Sequence, residues 1–456
     1  MLASKPVPRW LPWLIATAGF FVDIAAWWPG QMSFDSAYAW WQVRGGETTT
    51  IVSPAMIFVW RVCDAILAGP GLLFALHLAL FWSGLALIAS ALRSRVFVAA
   101  AIMFFVAFVP ASFLLRAHVW TDVGLLSTLT FATGALMTAQ AAARRSVWLI
   151  AAIVALYYAA ALRHNALPAV VPFAAWWMWL EFARLRTSRR SWALATLTLC
   201  AALAIGVGAL NARVARQVPV WTSLAQWDLA ALSIASNEML LPDFMIGPGL
   251  DVTELGAAFR PWSNVPMLQN TRHGMRDPFM GDYSPEQLSA LRHAWLTAIA
   301  EHPGAWLAHR WRLVRALIGA HDPSWPRELI FVDDEFQYRD NPPISRNGSW
   351  LHRALMRLAA ACANTPLLAA WPYLLIGLLA IPAGWRKRGE PAGRTALILL
   401  GSAWLYALTL FAFAPSAELR YAGWTIVASL LAAATAWSSA MRKADRLSAS
   451  SVQGSA

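Results

Sequence analysis

Asp35 is the only carboxylate in an aromatic run that reads Trp27-Trp28-Pro29-Gly30-Gln31-Met32-Ser33-Phe34-Asp35-Ser36-Ala37-Tyr38 and continues through Trp40, Trp41, Gln42 and Arg44. A carboxylate so placed can act as a general base, taking the proton of a hydroxyl as that hydroxyl attacks. It can equally cap a helix starting at Ser36-Ala37-Tyr38. A second acid, Asp122, closes the run Arg116-Ala117-His118-Val119-Trp120-Thr121-Asp122. That run sets a cation, an imidazole and a carboxylate within about two helical turns, with an acid near a helix N-terminus as the competing reading. Arg163-His164-Asn165 offers several donors at one point, which suits a phosphate or pyrophosphate. Long basic side chains at a membrane surface also snorkel without binding a ligand. Glu418-Leu419-Arg420-Tyr421 lies in a short connection from Ala414, either as a stabilising Glu–Arg pair or as a seat for a lipid-linked phosphate. Asp23 lies deeper in the first apolar stretch and is expected to be a paired structural carboxylate.

Other chemistries leave no trace. No Ser-His-Asp arrangement, P-loop, GxGxxG fingerprint or HExxH stands out, which argues against a soluble-nucleotide enzyme or a zinc protease. Cys63, Cys200 and Cys362 show neither CxxC nor Cys/His ligand spacing, so neither a zinc site nor a disulfide framework is expected. Cofactors are left open, a divalent cation included.

The elements that must position these residues follow from composition. The chain has 456 residues, 59% hydrophobic and 13% charged, against roughly 25% charged in soluble proteins. Its mean hydropathy is +0.50, and its 27 Trp are of the type that gathers where hydrocarbon meets headgroups. An all-α polytopic membrane protein is expected, because helices satisfy every backbone polar group inside lipid. Ten apolar stretches are long enough to span: 10–29, 70–92, 96–114, 121–141, 147–163, 166–183, 192–211, 367–385, 395–413 and 421–440.

The net charge of +12 is spread in small groups between these stretches. It reads as cytoplasmic loops rather than as a nucleic-acid surface. One set of ends carries Lys5 and Arg9; Arg93 and Arg95; Arg144 and Arg145; Arg184, Arg186, Arg189 and Arg190; Arg386, Lys387, Arg388 and Arg394; and Arg442, Lys443 and Arg446. With ten spans all these groups share one side, both termini are cytoplasmic, and the candidate residues face outward from an inner membrane. Four regions result: a bundle over 1–211 whose first outer connection is 30–69, an outer segment over 212–366, helices over 367–445, and a disordered tail over 446–456. Residues 33–44 and 54–67 look like interfacial helices. Ser284-Pro285-Glu286-Gln287 is a helix start running to about Glu301. A second helix from Pro303 is expected to carry Trp306, Leu307, Trp311, Val314, Leu317 and Ile318 on its apolar side. Loops are expected from Asp322 to Trp350.

This pattern resembles the GT-C class of membrane glycosyltransferases, which includes the protein O-mannosyltransferases and the aminoarabinose transferases of bacterial lipid A. The resemblance rests on an acid in the first outer loop, interfacial helices in that loop, a second acid after the third span and a large outer insertion after the seventh. It covers most of the membrane region and not clearly 212–366. The phrases Asp35-Ser36-Ala37-Tyr38, Thr121-Asp122-Val123 and Arg163-His164-Asn165-Ala166-Leu167-Pro168 are similar to poorly characterised bacterial members. The resemblance implies catalytic Asp35 and Asp122, and Glu418-Leu419-Arg420-Tyr421 looks like a motif of the class. Together with the donor groups Arg116, His118, Arg163, His164 and Asn165, the residues Glu418, Arg420 and Tyr421 are expected to bind substrate. The resemblance also implies transfer of a sugar from a polyprenyl-phosphate carrier to a glycan, lipid or protein acceptor outside the membrane.

Three other readings compete. An O-antigen polymerase or ligase would lean on Arg and His more than on Asp35. A transporter or flippase usually places its polar groups near mid-membrane in repeated halves, and no repeat is visible here. A structural protein would use its outer segment to bind partners.

Overall fold

Apolar runs bounded by Pro, Gly and capping residues become helices throughout the computed structural model, which describes residues 8, 10–92, 96–182, 188–279, 281–320, 336–344 and 347–453. Lys5, Arg9, Arg93, Arg95, Arg184 and Arg186, residues 322–335 and 345–346 of the expected loop, and 454–456 of the expected tail lie outside the described residues. Helix α1 (Leu11–Trp27) leads into a connection holding α2 (Phe34–Val43) and α3 (Pro54–Ile66). Then come α4 (Gly71–Leu92), α5 (Val96–Phe108), α6 (Pro110–Leu115), α7 (Thr121–Ala139), α8 (Arg145–Leu162), α9 (Leu167–Phe182) and α10 (Arg189–Val214). The insertion carries α11 (Trp221–Ser236), α12 (Val252–Ala258), α13 (Val265–Asn270), α14 (Pro285–Glu301), α15 (Pro303–Leu317) and α16 (Trp350–Cys362). Helices α17 (Trp371–Arg386), α18 (Pro391–Phe413) and α19 (Gly423–Gln453) follow. Among the described residues extended chain meets only in isolated bridges, such as Gln31 with His118 and Thr49 with Arg216.

Among the described residues six helical stretches are long and apolar enough to cross a membrane: α4, α7, α8, α10, α18 and Leu419–Ser438, most of which lies in α19. Helices α1 and α9 are apolar but shorter. The expected continuous stretch 96–114 is two helices, because Pro110 has no N–H to continue the first and starts the second. Helix α17 contains Pro382. The expected disordered tail is also corrected: helix α19 continues to Gln453, since no Gly or Pro interrupts the chain between Gly423 and Gly454.

Helix α7 is the most enclosed of the six and α10 the least. Helices α4 and α7 approach backbone to backbone. A Cβ on Gly84 would lie 2.7 Å from the Thr130 carbonyl oxygen, and one on Gly134 would lie 2.7 Å from the Gly84 carbonyl oxygen. Small residues allow such close crossings. Gly84→Ala is therefore expected to cost about 1–3 kcal/mol, read as a lower unfolding midpoint in detergent. An unchanged midpoint would mean that the two helices part freely.

The insertion is docked on one end of this bundle. Ser284 and Gln287 form the expected capping box at the start of α14. Helices α11, α14 and α15 meet on one fully buried carboxylate, Asp228. Its Oδ2 accepts from Trp295 Nε1 and Trp306 Nε1, each at 3.0 Å. Its Oδ1 pairs with Arg310 and lies 3.3 Å from His309 Nε2. Burial pushes this carboxyl up, but the bonds from His309 and Arg310 outweigh it and hold it below the ordinary value. The apolar side expected of α15 is corrected in part. Leu317 is buried and Trp306 and Ile318 pack against the core, but Leu307 and Trp311 are exposed, while His309 and Arg310 face inward beside Leu313, where Asp228 supplies the countercharge for Arg310. Arg310 Nη1 also donates to the Ala414 carbonyl at 3.0 Å, and the Ala417 N–H donates to the Trp262 carbonyl at 2.8 Å. The insertion thus holds both ends of the Ala414–Ala417 stretch.

Candidate functional site

Asp35 sits in the first turn of α2. Ser33 holds the N-cap position without capping, since its Oγ accepts from Trp120 Nε1 at 2.8 Å. The capping role open to Asp35 in the sequence is therefore not the one it takes. Its side chain is 52% exposed and its Oδ2 lies 2.6 Å from Arg420 Nη1.

Arg420 reaches that point from the turn between α18 and α19. Its Nε lies 2.5 Å from Glu418 Oε2. Glu418 Oε1 in turn accepts from Ser416 Oγ at 2.7 Å and from the Tyr421 hydroxyl at 3.3 Å. The Arg420 guanidinium also rests over Trp120, 5.0 Å from the ring centroid.

A second ion pair lies alongside. Asp122, in the first turn of α7, pairs through Oδ1 with Arg163 Nη1 at the end of α8. Arg163 Nε donates to Asn165 Oδ1 at 3.3 Å, and Asn165 Nδ2 donates to Thr409 Oγ1 at 3.1 Å. Tyr421 joins the two pairs, with Arg163 4.7 Å and Arg420 5.1 Å from its ring centroid. Asp122 feels the charges of Arg163, Arg420, Glu418 and Asp35. It is buried, and among the described residues its Oδ2 finds no hydrogen-bond donor.

The chain thus brings together Asp35, Asp122, Arg163, Asn165, Glu418, Arg420 and Tyr421. It does not bring Arg116 to them. That guanidinium is fully buried against Asp23, with Nη2 3.1 Å from Oδ2, and lies 4.2 Å from the Phe81 ring centroid. Its expected substrate role is corrected, because a buried cation needs a countercharge and Asp23 supplies one. His118 stacks on Trp120 with centroids 3.8 Å apart, so it backs the ring that faces Arg420. His164 Nε2 donates to the Thr50 carbonyl at 2.9 Å, tying the α8–α9 connection to the first loop. Trp120 and Ser416 were not expected in the site. Trp120 lies inside the run ending at Asp122, which was the one signal for it. Ser416 likewise lies inside the short connection from Ala414 to Tyr421, with no other signal for it.

Among the described residues this knot sets the guanidinium groups of Arg163 and Arg420 against the carboxylates of Asp35, Asp122 and Glu418. No group of three or more His, Cys, Asp or Glu among them is placed to hold a metal ion. Such an arrangement can bind an anion through guanidinium N–H groups and offer a carboxylate as a base. No family model, curated protein or solved structure matches the chain.

Proposed function

We propose that the chain is an integral membrane glycosyltransferase of the GT-C kind, moving a sugar from a polyprenyl-phosphate carrier to an acceptor on the outer side of the inner membrane. The observation that carries the reading is the pairing of half-exposed Asp35 with Arg420, beside Asp122 and Arg163, at one end of a bundle of apolar helices. Ten spans with both termini cytoplasmic belong to the same proposal. In its support, Arg145 lies 3.7 Å from Glu181 and the Arg394 guanidinium lies 4.2 Å from the Trp179 ring centroid. These contacts gather the start of α8, the end of α9 and the start of α18 at the opposite end, where cytoplasmic Arg belongs.

The reaction balances with these residues. Asp35 takes the proton of the acceptor hydroxyl as its oxygen bonds to the anomeric carbon. The bond from that carbon to the phosphate oxygen breaks, and the polyprenyl phosphate leaves with the electron pair. Arg420 and Arg163 stabilise the negative charge that grows on it.

Membranes containing the chain, given a polyprenyl-phosphate sugar, test the reading. Arg420→Ala is expected to lower use of the donor about 10- to 100-fold, the worth of a hydrogen bond to a charged group. Arg420→Lys is expected to recover only part, since a point charge lacks the guanidinium fork. Unchanged donor use in both variants would assign Arg420 to anchoring the turn.

A further inference from the structure

The inference here rests on the glycosyltransferase reading and concerns the order of events at its site. A guanidinium offers a few donors in one plane, and a phosphate engages them best as a pair of parallel bonds. In the structure each edge of Arg420 that could give such a pair has one nitrogen facing a carboxylate, Glu418 at Nε and Asp35 at Nη1, while Nη2 lies 3.5 Å from the Tyr421 hydroxyl. The charge balance points the same way, with Arg163 and Arg420 facing Asp35, Asp122 and Glu418. A phosphodiester entering that cluster unchanged would meet net negative charge. One carboxylate has to give way.

The surroundings say which one. Asp122 is buried beneath Arg163, with 4% of its side chain exposed. Glu418 is held by Ser416 and Tyr421 through its other oxygen. Asp35 is 52% exposed, and water can take over its solvation when it leaves Arg420. An ion pair with one partner so exposed is weak, so a better anion can replace it.

We propose that the Asp35 carboxylate occupies the seat of the donor phosphate on Arg420, and that phosphate binding displaces it and so frees the base. The empty site then keeps Asp35 engaged and unavailable for proton abstraction. An acceptor hydroxyl meets a free base only when a lipid-linked phosphate is in place. Proton removal is thereby coupled to the presence of the sugar donor.

The test is binding, apart from transfer. The full chain, purified in detergent, is titrated with farnesyl phosphate, inorganic phosphate and farnesol. Asp35→Asn removes the internal competitor and is expected to bind farnesyl phosphate about two- to fivefold more tightly than the parent. Asp35→Ala is expected to do the same, which guards against a fault in one variant. In an Arg420→Ala background Asp35→Asn is expected to add nothing, because the competition runs through Arg420. Tightening for farnesyl phosphate alone supports a lipid-linked phosphate. Equal tightening for inorganic phosphate supports the same seat filled by the free ion. Tightening for farnesol, equal or weaker binding of both phosphates, or tightening that persists without Arg420 overturns the displacement. Loss of transfer in Asp35→Asn without tighter binding removes this inference and leaves the base in place. Tighter binding in a chain whose parent transfers no sugar keeps the phosphate seat and removes the glycosyltransferase reading.

Discussion

Membranes carrying Asp35→Asn are expected to transfer about 100- to 10,000-fold less sugar than the parent at equal protein amount, the usual loss when a positioned base is removed. Asn has the shape of Asp and lacks the basic lone pair. Helix α2 has little reason to move, because Asp35 is not its cap and the helix is tethered elsewhere. Ser36 Oγ donates to the Val119 carbonyl at 2.8 Å, and Asn341 Nδ2 donates to the Ala37 carbonyl at 2.8 Å. Arg420 keeps Glu418. The variant is therefore expected in membranes at normal levels and with its donor site intact. Transfer close to that of the parent would return Asp35 to an ion-pair role. Asp122, with an unbonded Oδ2 at the same knot, would then be the remaining base.

The helices were legible because their signals are local. The box at Ser284 and Gln287 formed with both of its hydrogen bonds, and Pro303 opens α15 where it was expected. Helices α2 and α3 lie where the first connection predicted them. The break at Pro110 was hidden by apolar residues on both sides of it, which made one stretch of two helices. Partners distant in sequence were not legible. Arg310 bonds to Asp228 across 82 positions, so α15 turns His309 and Arg310 inward with Leu317 and leaves Leu307 and Trp311 of its expected apolar side exposed. Arg116 looked like part of a site because His118 and Asp122 follow it within a few residues. Its countercharge, Asp23, lies 93 positions upstream. Hydrophobic periodicity reports which face is apolar, and it says nothing of which buried charge has a partner elsewhere.

Breaking the pair of Asp23 and Arg116 is expected to cost about 3–5 kcal/mol, because either partner alone is a buried charge without compensation. Both side chains are fully buried. Arg116 also mends the break between α5 and α6: its Nη1 donates to the Ala107 carbonyl at 2.8 Å and to the Ser112 carbonyl at 3.2 Å. Ala107 lies in the last turn of α5, where carbonyls lack helical partners. Asp23 in turn accepts from Trp82 Nε1 at 2.8 Å. Asp23→Ala is therefore expected to show a much lower unfolding midpoint in detergent and a poor yield. Removing both charges together, as Asp23→Asn with Arg116→Met, leaves Trp82 an acceptor and no stranded charge. The double variant is expected to be more stable than Asp23→Ala and Arg116→Met alike, though below the parent, since Ala107 and Ser112 lose a donor. Phosphate binding in the double variant, measured with farnesyl phosphate, is expected to match that of the parent. Weaker binding there at an unchanged fold would bring Arg116 back into the site, and a double variant no better than the singles would show that the carbonyls at the helix break, and not the buried charge, set the cost.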